Sequence, residues 1–358
     1  MHREAQARID LAALRHNLAR VRALAPRRRV MAVVKADAYG HGLARCAAAL
    51  AGADAFAVGH VIEGQALRAA GCGAPLVVLE GFFDAAGLEA CLRHGMQPVL
   101  HQPYQVELLE QALRGRPLAL WLKFDSGMHR LGFPAAQARD WLARVQGIPG
   151  VTAPVGVMSH LACADDPQDP RTAQQQACFL AAIAGHAGPR SLANSAGILA
   201  HAGTHLDWVR PGLMLYGVSP LLGASAAAHD LRPAMALSTR LIAVQELAAG
   251  EAVGYGGAYV CPRAMRVGVA AIGYGDGYPR HAASGTPVRV NGARCALIGR
   301  VSMDMITVDL SAAPEARPGD SVILWGEGLP VEEVAACAGS IAYELLCAVA
   351  GRMQFTAV

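Results

Sequence analysis

The chain has 358 residues, of which 53% are hydrophobic and 16% are charged. A chain this apolar and weakly charged is not disordered, and its length suffices for two domains or for one large barrel with an appendage. The formal net charge of +3 comes from scattered residues, which gives no support for binding to nucleic acid or an acidic membrane surface.

The cysteines and the hydropathy of the chain exclude further classes of protein. The nine cysteines are widely spaced without a CxxC pair, which predicts neither a disulfide framework nor a metal site and favours a reducing, cytoplasmic compartment. The sequence contains no apolar run of 18 residues, so we expect no transmembrane helix. The first 26 residues carry charges every few positions and predict an amphipathic helix rather than a signal peptide.

Up to about residue 220, short β-rich runs alternate with helix-like stretches, a pattern typical of βα units around a parallel sheet. The predicted strands are residues 30–34, 55–58, 76–79, 98–100, 118–124, 155–159, 191–193 and 206–209. Apolar residues three and four positions apart predict helices such as 103–113 and 135–145. Eight strands in this alternation favour a closed (β/α)8 barrel over an open doubly wound sheet.

The pattern changes near residue 225. Short strands are predicted at residues 267–272, 287–290, 296–298, 306–309 and 321–324, separated by turns such as Asn291-Gly292. One helix is predicted among them, near 331–337. We therefore expect an α/β chain of two domains: a barrel over residues 1–228 and a mostly antiparallel β domain over residues 229–358, with the boundary within 223–233.

Barrels of this kind carry their reactive groups at the C-terminal ends of the strands. Lys35 follows the apolar first strand there, and desolvation at a barrel mouth favours the neutral amine that acts as a Schiff-base nucleophile. By position alone, a lysine that reaches out to solvent is the slightly favoured alternative.

The loops after strands 7 and 8 often bind a phosphate in such barrels. Ser195 offers a hydroxyl there, and Gly197 and Gly212 permit close backbone approach. The alternative is a strand-to-helix turn at residues 194–197 with Ser195 as the N-cap. A Schiff-base lysine and a phosphate site in one barrel mouth indicate a pyridoxal-phosphate enzyme or a sugar-phosphate aldolase.

The segment AVVKADAYGHG at residues 32–42 resembles the cofactor-lysine signature of the alanine racemases, which are fold-type III pyridoxal-phosphate enzymes. Further segments follow in family order up to residue 347: WLKFDSGMHRLGF, SHLACAD, NSAG, VRPGLMLYG, VGYGGAY, IGYGDGYPR, GRVSMD and YELLC. The resemblance implies a (β/α)8 barrel followed by a β domain, two-base interconversion of L- and D-alanine, and a homodimer with shared active sites. The reaction would supply D-alanine for cell-wall peptidoglycan, or it would serve alanine catabolism.

The resemblance also implies roles for individual residues. Lys35 would bind pyridoxal phosphate and act as the base on the D face, and Tyr255 of a second subunit would act on the L face. Without the resemblance, Tyr255 would be an edge-strand tyrosine. His160 is paired with the catalytic tyrosine in the family pattern. Arg210 would face the pyridine nitrogen, and because arginine only donates hydrogen bonds, it disfavours a proton there.

The remaining matches concern cofactor, substrate and access. Arg130 would contact the phenolic oxygen of the cofactor and the substrate carboxylate. Lys123 matches a lysine that is carbamylated in a number of family members, although a surface pair with Asp125 is the alternative. The phosphate-binding and cofactor-binding matches are Tyr39, Asn194, Ser195, Gly212, Leu213 and Tyr343. The substrate-binding matches of the partner subunit are Met303 and Asp304, and those of the access corridor are Asp165, Tyr274, Arg280 and Arg300.

Three other functions compete with a racemase: a fold-type III decarboxylase, a pyridoxal-phosphate carrier without catalysis, and an aldolase that needs no cofactor. Decarboxylases of this fold place an acidic residue where Arg210 stands, and a carrier has no use for the domain that bears Tyr255 and Met303. Tyr255, Tyr343 and Met303 around the cofactor would leave room for little beyond a methyl side chain, so alanine is the expected substrate and serine a slow one.

Overall fold

The computed structural model describes residues 4–326, 328–349 and 351–358. The elements of its first 220 residues are β1 (Gln6–Ile9), α1 (Leu11–Leu24), β2 (Arg29–Val33), α2 (Lys35–Gly40), α3 (Leu43–Ala49), β3 (Ala55–Val58), α4 (Val61–Ala69), β4 (Leu76–Val78), α5 (Ala85–Arg93), β5 (Met96–Leu100), α6 (Pro103–Ala112), β6 (Trp121–Asp125), β7 (Phe133–Pro134), α7 (Ala138–Gln146), β8 (Gly156–Met158), α8 (Arg171–Ala182), β9 (Arg190–Ser191), α9 (Ser195–Ala200) and β10 (Trp208–Val209).

Eight parallel strands close into a barrel. Their order is β2-β3-β4-β5-β6-β8-β9-β10, and β10 pairs again with β2. The strands are apolar on both faces because helices cover the outside and side chains fill the inside. Trp121 occupies so much of the interior that a Cβ on Gly156, in the neighbouring strand, would lie 2.4 Å from its ring. The predicted (β/α)8 barrel is confirmed.

The second part of the chain forms a β structure with two helices. Its elements are β11 (Met235–Leu247), β12 (Ala252–Val253), β13 (Tyr259–Val260), β14 (Met265–Ala270), β15 (Pro287–Val290), β16 (Ala293–Ile298), β17 (Ile306–Asp309), β18 (Ser321–Trp325), α10 (Val331–Cys337), α11 (Ala342–Ala348) and β19 (Gln354–Ala357). Six antiparallel strands close upon themselves in the order β11-β14-β17-β16-β15-β18. The predicted antiparallel β domain is therefore confirmed as an architecture.

The N-terminus differs from the prediction. The amphipathic helix begins at Leu11, where the side chain of Asp10 accepts a hydrogen bond from the backbone N–H of Ala13 at 2.9 Å. Ahead of it, Gln6–Ile9 form a strand that pairs with β11 and β19. Ala7 and Ile9 are buried and alternate with more exposed residues, a period of two too short to stand out in the sequence.

A second helix after residue 225 was also not predicted. Helix α11 follows α10 closely and buries Leu345 and Leu346. It packs against the segment after Lys35, since a Cβ on Gly40 would lie only 2.1 Å from the backbone oxygen of Leu346. The C-terminal part of the chain thus reaches the barrel mouth. The division at residues 228 and 229 stays a prediction, because β1, from the barrel half of the sequence, lies in the second sheet.

Within the described ranges, no helix combines the length and the apolar character needed to cross a membrane.

Candidate active site

A cavity of about 550 Å³ opens at the C-terminal ends of the barrel strands. Residues that the sequence placed at separate strand ends line this one space, and helix α11 adds a wall. The predicted site residues that line it are Lys35, Tyr39, Lys123, Arg130, His160, Asn194, Ser195, Arg210, Gly212, Leu213 and Tyr343.

Lys35 leads directly into an unusual backbone segment. The four residues Ala36–Tyr39 form a left-handed turn, with φ between 51° and 55°. The left-handed conformation costs residues with a Cβ roughly 1–2 kcal/mol each, so the turn needs support from its surroundings. The Asp37 carboxylate accepts a hydrogen bond from the N–H of Leu43 at 2.7 Å, and the ring Nδ1 of buried His41 donates to the carbonyl of Tyr39 at 2.8 Å. The turn directs both Lys35 and Tyr39 into the cavity.

Hydroxyl groups and bare backbone form another part of the cavity wall. The Ser195 hydroxyl accepts hydrogen bonds from the N–H groups of Gly212 at 2.9 Å and Met214 at 3.4 Å. A Cβ on Gly212 would lie 2.4 Å from the hydroxyl oxygen of Tyr39, so only glycine leaves room for that hydroxyl. The alternative that Ser195 caps helix α9 is wrong: Asn194 is the N-cap, and its side chain accepts from the Gly197 N–H at 3.0 Å.

Arg210 is buried in the wall of the cavity. Its guanidinium donates to the hydroxyl of Ser191 at 2.6 Å and to the carbonyl of Leu192 at 3.2 Å. Burial lowers the pKa of Arg210 to about 10, which still leaves it protonated at neutral pH. The cavity wall therefore contains a fixed cation that offers hydrogen-bond donors only.

Lys123 and His160 lie in the field of this cation. Burial and the charges of Arg210, Arg130 and Lys35 lower the pKa of Lys123 to about 8. Burial and the neighbouring cations also hold the pKa of His160 well below its ordinary value, so the ring is neutral at pH 7.

The alternative of a Lys123–Asp125 surface pair is not observed. Asp125 instead accepts a hydrogen bond from the ring of His129 at 2.9 Å and others from three backbone N–H groups of the following loop. Lys123 is left facing the cavity among cations.

Two tyrosines converge beside Lys35. The rings of Tyr39 and Tyr343 are 6.0 Å apart, and burial together with the nearby charge of Asp165 raises the pKa of Tyr343 to about 12. Burial, with smaller effects of Tyr343 and Cys347, raises the pKa of Tyr39 as well. Both hydroxyls stay protonated at neutral pH and can donate hydrogen bonds. Asp165 lies near this pair without lining the cavity.

The other predicted residues lie outside the cavity, on the β domain. Tyr255 and Met303 are 68% and 53% exposed. The N–H of Tyr274 donates to the carbonyl of Ser302, and a Cβ on Gly256 would lie 3.4 Å from the Arg300 guanidinium. We call the surface formed by Tyr255, Tyr274, Arg300, Met303 and Asp304 the Tyr255 face. Arg280 is exposed on the loop that follows Tyr274.

Several cavity residues were not predicted. Ser159 follows β8 directly and Glu80 lies two residues after β4, so the strand-end rule alone would have found them. Ile341 and Cys347 were missed because helix α11 was missed. Ser191, which holds Arg210, carries no sequence signal beyond its position in a short strand.

The barrel, the lysine after its first strand and the cavity that this lysine shares with Tyr39, Ser195 and Gly212 define a (β/α)8-barrel enzyme with a lysine at the barrel mouth. The profile of "Alanine racemase, N-terminal domain" matches residues 9–220, and that of "Alanine racemase, C-terminal domain" matches residues 234–357. The chain belongs to the alanine racemase family. It is 56% identical to the alanine racemase of Thioalkalivibrio sulfidiphilus and 54% identical to that of Nitrosococcus oceani, over at least 98% of each chain.

Solved structures agree with this assignment. The biosynthetic alanine racemase from Pseudomonas aeruginosa is 46% identical, with a TM-score of 0.97 over 100% of both chains. The alanine racemase from Bartonella henselae, solved with covalently bound pyridoxal phosphate, is 27% identical, with a TM-score of 0.90 over 99% of both chains.

Proposed function

We propose that this chain interconverts L- and D-alanine with pyridoxal phosphate, by proton exchange at two opposed bases. The observation that carries the proposal is the convergence of Lys35, Ser195 and Arg210, from three distant parts of the sequence, on one cavity. The family membership supports the reaction, and the relatives' names give alanine as the substrate.

The residues present fit the cofactor. The Ser195 and Tyr39 hydroxyls form a cradle with the bare backbone of Gly212, where a Cβ would lie 2.4 Å from the Tyr39 hydroxyl oxygen. Hydroxyl groups can donate the hydrogen bonds that an anionic phosphate accepts. Lys35 stands beside the cradle and can bond to an aldehyde, and the bound cofactor of the Bartonella henselae relative supports this choice. Pyridoxal phosphate would supply an electron sink that acidifies the Cα–H of the attached amino acid.

The chain's own residues then handle the proton. Lys35 would hold the proton exchanged on the D face of Cα, and Tyr255 the proton on the L face. Arg210 presents only donors and would keep the ring nitrogen unprotonated, which distinguishes the site from one with an acidic residue there. His160, neutral at pH 7, can accept a hydrogen bond and would orient Tyr255.

The two bases require two copies of the chain. Tyr255 is 68% exposed and does not line the cavity of its own chain. We therefore propose a homodimer in which the β domain of each copy, residues 229–358, covers the other's barrel, residues 1–228. The main chain of Met303 and Asp304 would meet the substrate carboxylate in the same way.

The remaining assignments follow the family pattern. Arg130 would contact the cofactor's phenolic oxygen and the substrate. Tyr39, Asn194, Leu213 and Tyr343 would complete the cofactor site, and Asp165, Tyr274, Arg280 and Arg300 would line the access corridor. D-alanine for cell-wall peptidoglycan or alanine breakdown would be the physiological purpose. A cytoplasmic location is supported by the nine cysteines, all of which are unpaired.

Incubation of the purified protein with L-alanine in D₂O tests the function. We expect a yellow protein that yields D-alanine with solvent deuterium at Cα. A yellow protein that forms no D-alanine would indicate that the substrate is another compound. A colourless, inert protein would refute the role of Lys35.

Tyr255→Phe tests the second base, because it removes only the hydroxyl. We expect activity from L-alanine to fall by ~10²–10⁴-fold while the cofactor absorbance stays. Tyr259→Phe is the matched control, since Tyr259 lies nearby on strand β13 and its hydroxyl makes a weak contact with the sulfur of Met265 at 3.9 Å. Equal loss of cofactor binding in the Tyr255 variant would indicate a structural role.

A further inference from the structure

We infer that Glu63 is a positioning residue that holds Lys35 in register with the cofactor cradle, an inference that rests on the proposed function. Glu63 lies in the first turn of α4, in the βα unit next to the one that carries Lys35. One of its carboxylate oxygens, Oε1, accepts a hydrogen bond from the N–H of Ala36 at 2.6 Å. Ala36 is the residue directly after Lys35.

The two oxygens of Glu63 serve different purposes. Oε2 accepts from the N–H groups of Gly59 at 2.8 Å and His60 at 3.2 Å, which is an ordinary capping arrangement at a helix start. The bond from Oε1 to Ala36 has no part in that cap, because Ala36 belongs to another βα unit. Glu63 therefore joins the capped start of α4 to the segment that bears the reactive lysine.

The hydrogen bond from Ala36 to Glu63 lies at the start of a strained backbone segment. Ala36 begins the left-handed turn Ala36–Tyr39, a conformation that residues with a Cβ keep only when surrounding contacts hold it. The end of β3 also passes close by, since a Cβ on Gly59 would lie 3.7 Å from the Cβ of Lys35. Lys35 precedes the turn and Tyr39 ends it, so a relaxed turn would shift both groups relative to Ser195 and Gly212.

Glu63→Gln separates the two purposes. A glutamine keeps one acceptor oxygen, and the two bonds of the helix cap outweigh the single bond to Ala36, so the amide group turns its own N–H toward Ala36. We expect the affinity of the apoprotein for pyridoxal phosphate, followed by absorbance, to fall by ~10-fold, as for the loss of a hydrogen bond to a charged group. Hydrogen exchange should quicken in the peptide covering residues 32–42.

Asp54→Asn is the matched control. The Asp54 carboxylate accepts from the N–H of Val30 at 2.8 Å, at the opposite end of the same strand β2. It should leave the cofactor affinity within about two-fold of wild type. An equal loss in both variants would overturn the inference, because the effect would then be general destabilisation.

A rescue variant guards against an effect on folding alone. Glycine adopts the left-handed conformation without penalty, so Ala36→Gly added to Glu63→Gln should recover much of the lost affinity if Glu63 acts by holding the turn. The inference would be overturned if the double variant recovered no affinity. It would also be overturned if Glu63→Gln bound the cofactor like wild type and showed unchanged hydrogen exchange. A wild-type protein that binds no pyridoxal phosphate would instead refute the proposed function and this inference with it.

Discussion

At the scale of single residues, Lys123 has the most informative environment. Three cations, Arg210, Arg130 and Lys35, act on its amine, and burial with these charges lowers its pKa to about 8. About a tenth of the amine is therefore neutral at pH 7. Carbon dioxide can bond to the neutral nitrogen, which then releases one proton and leaves a carbamate anion. An anion at this place would be stabilised by the same cations that disfavour the ammonium form.

We therefore expect Lys123 to take up carbon dioxide and the activity to depend on it. Activity should fall by about 10-fold in carbon dioxide-free buffer, the size of a lost charge-assisted contact to Arg130, and return with bicarbonate. A ¹³C NMR signal after incubation with ¹³C-bicarbonate would report the carbamate. Lys123→Ala should show neither the signal nor the response, and a wild type without both would contradict the assignment.

At the scale of elements, the left-handed turn after β2 makes stability depend on pH. His41 supports this turn from a buried position, and burial lowers its pKa from 6.5 to about 4 despite its hydrogen bonds to the carbonyls of Tyr39 and Ala38. Between these two pH values His41 is protonated in the unfolded chain and neutral in the folded chain. The stability associated with neutral His41 is present above pH 6.5 and is lost as the pH falls toward 4, by about 3 kcal/mol in total.

Urea unfolding at pH 7.5 and pH 5 measures this effect. Between these two pH values, the free energy of unfolding should fall by about 2 kcal/mol more in wild type than in His41→Gln. Glutamine has no titratable group, so the variant lacks this pH dependence. His281→Gln is a suitable control because its side chain is exposed on a loop. The same pH dependence in wild type and His41→Gln would show that another group carries it.

At the scale of the whole molecule, the proposed homodimer, with its two proposed bases on different chains, predicts complementation between inactive variants. Lys35 lines the cavity of its own chain, whereas Tyr255 lies exposed on the Tyr255 face. Lys35→Ala and Tyr255→Phe should each be inactive alone. After unfolding and refolding as a mixture, half the dimers are hybrids with one intact site, so we expect about a quarter of wild-type activity. A mixture that stays inactive would mean that each chain uses its own tyrosine.

The sequence by itself determined the barrel, the β domain and the cavity residues that stand at strand ends. Eight apolar runs that alternate with helical segments favour a closed parallel barrel. In such a barrel the C-terminal ends of all the strands lie at one mouth. Lys35, His160 and Arg210 were found for this reason. The order of the family segments added the proposed roles of these residues and of Tyr255.

Only the tertiary structure decided the features that depend on contacts between distant segments. Strand β1 exists because β11 and β19 offer it partners, and helix α11 was recognised only where it packs at the barrel mouth. The left-handed turn after Lys35 contradicts the local preference of its residues, since Ala36 and Tyr39 disfavour positive φ. Contacts from Glu63 and His41 offset that cost. Local patterns in a sequence record local preferences, whereas strain held by distant partners becomes visible only in the folded molecule.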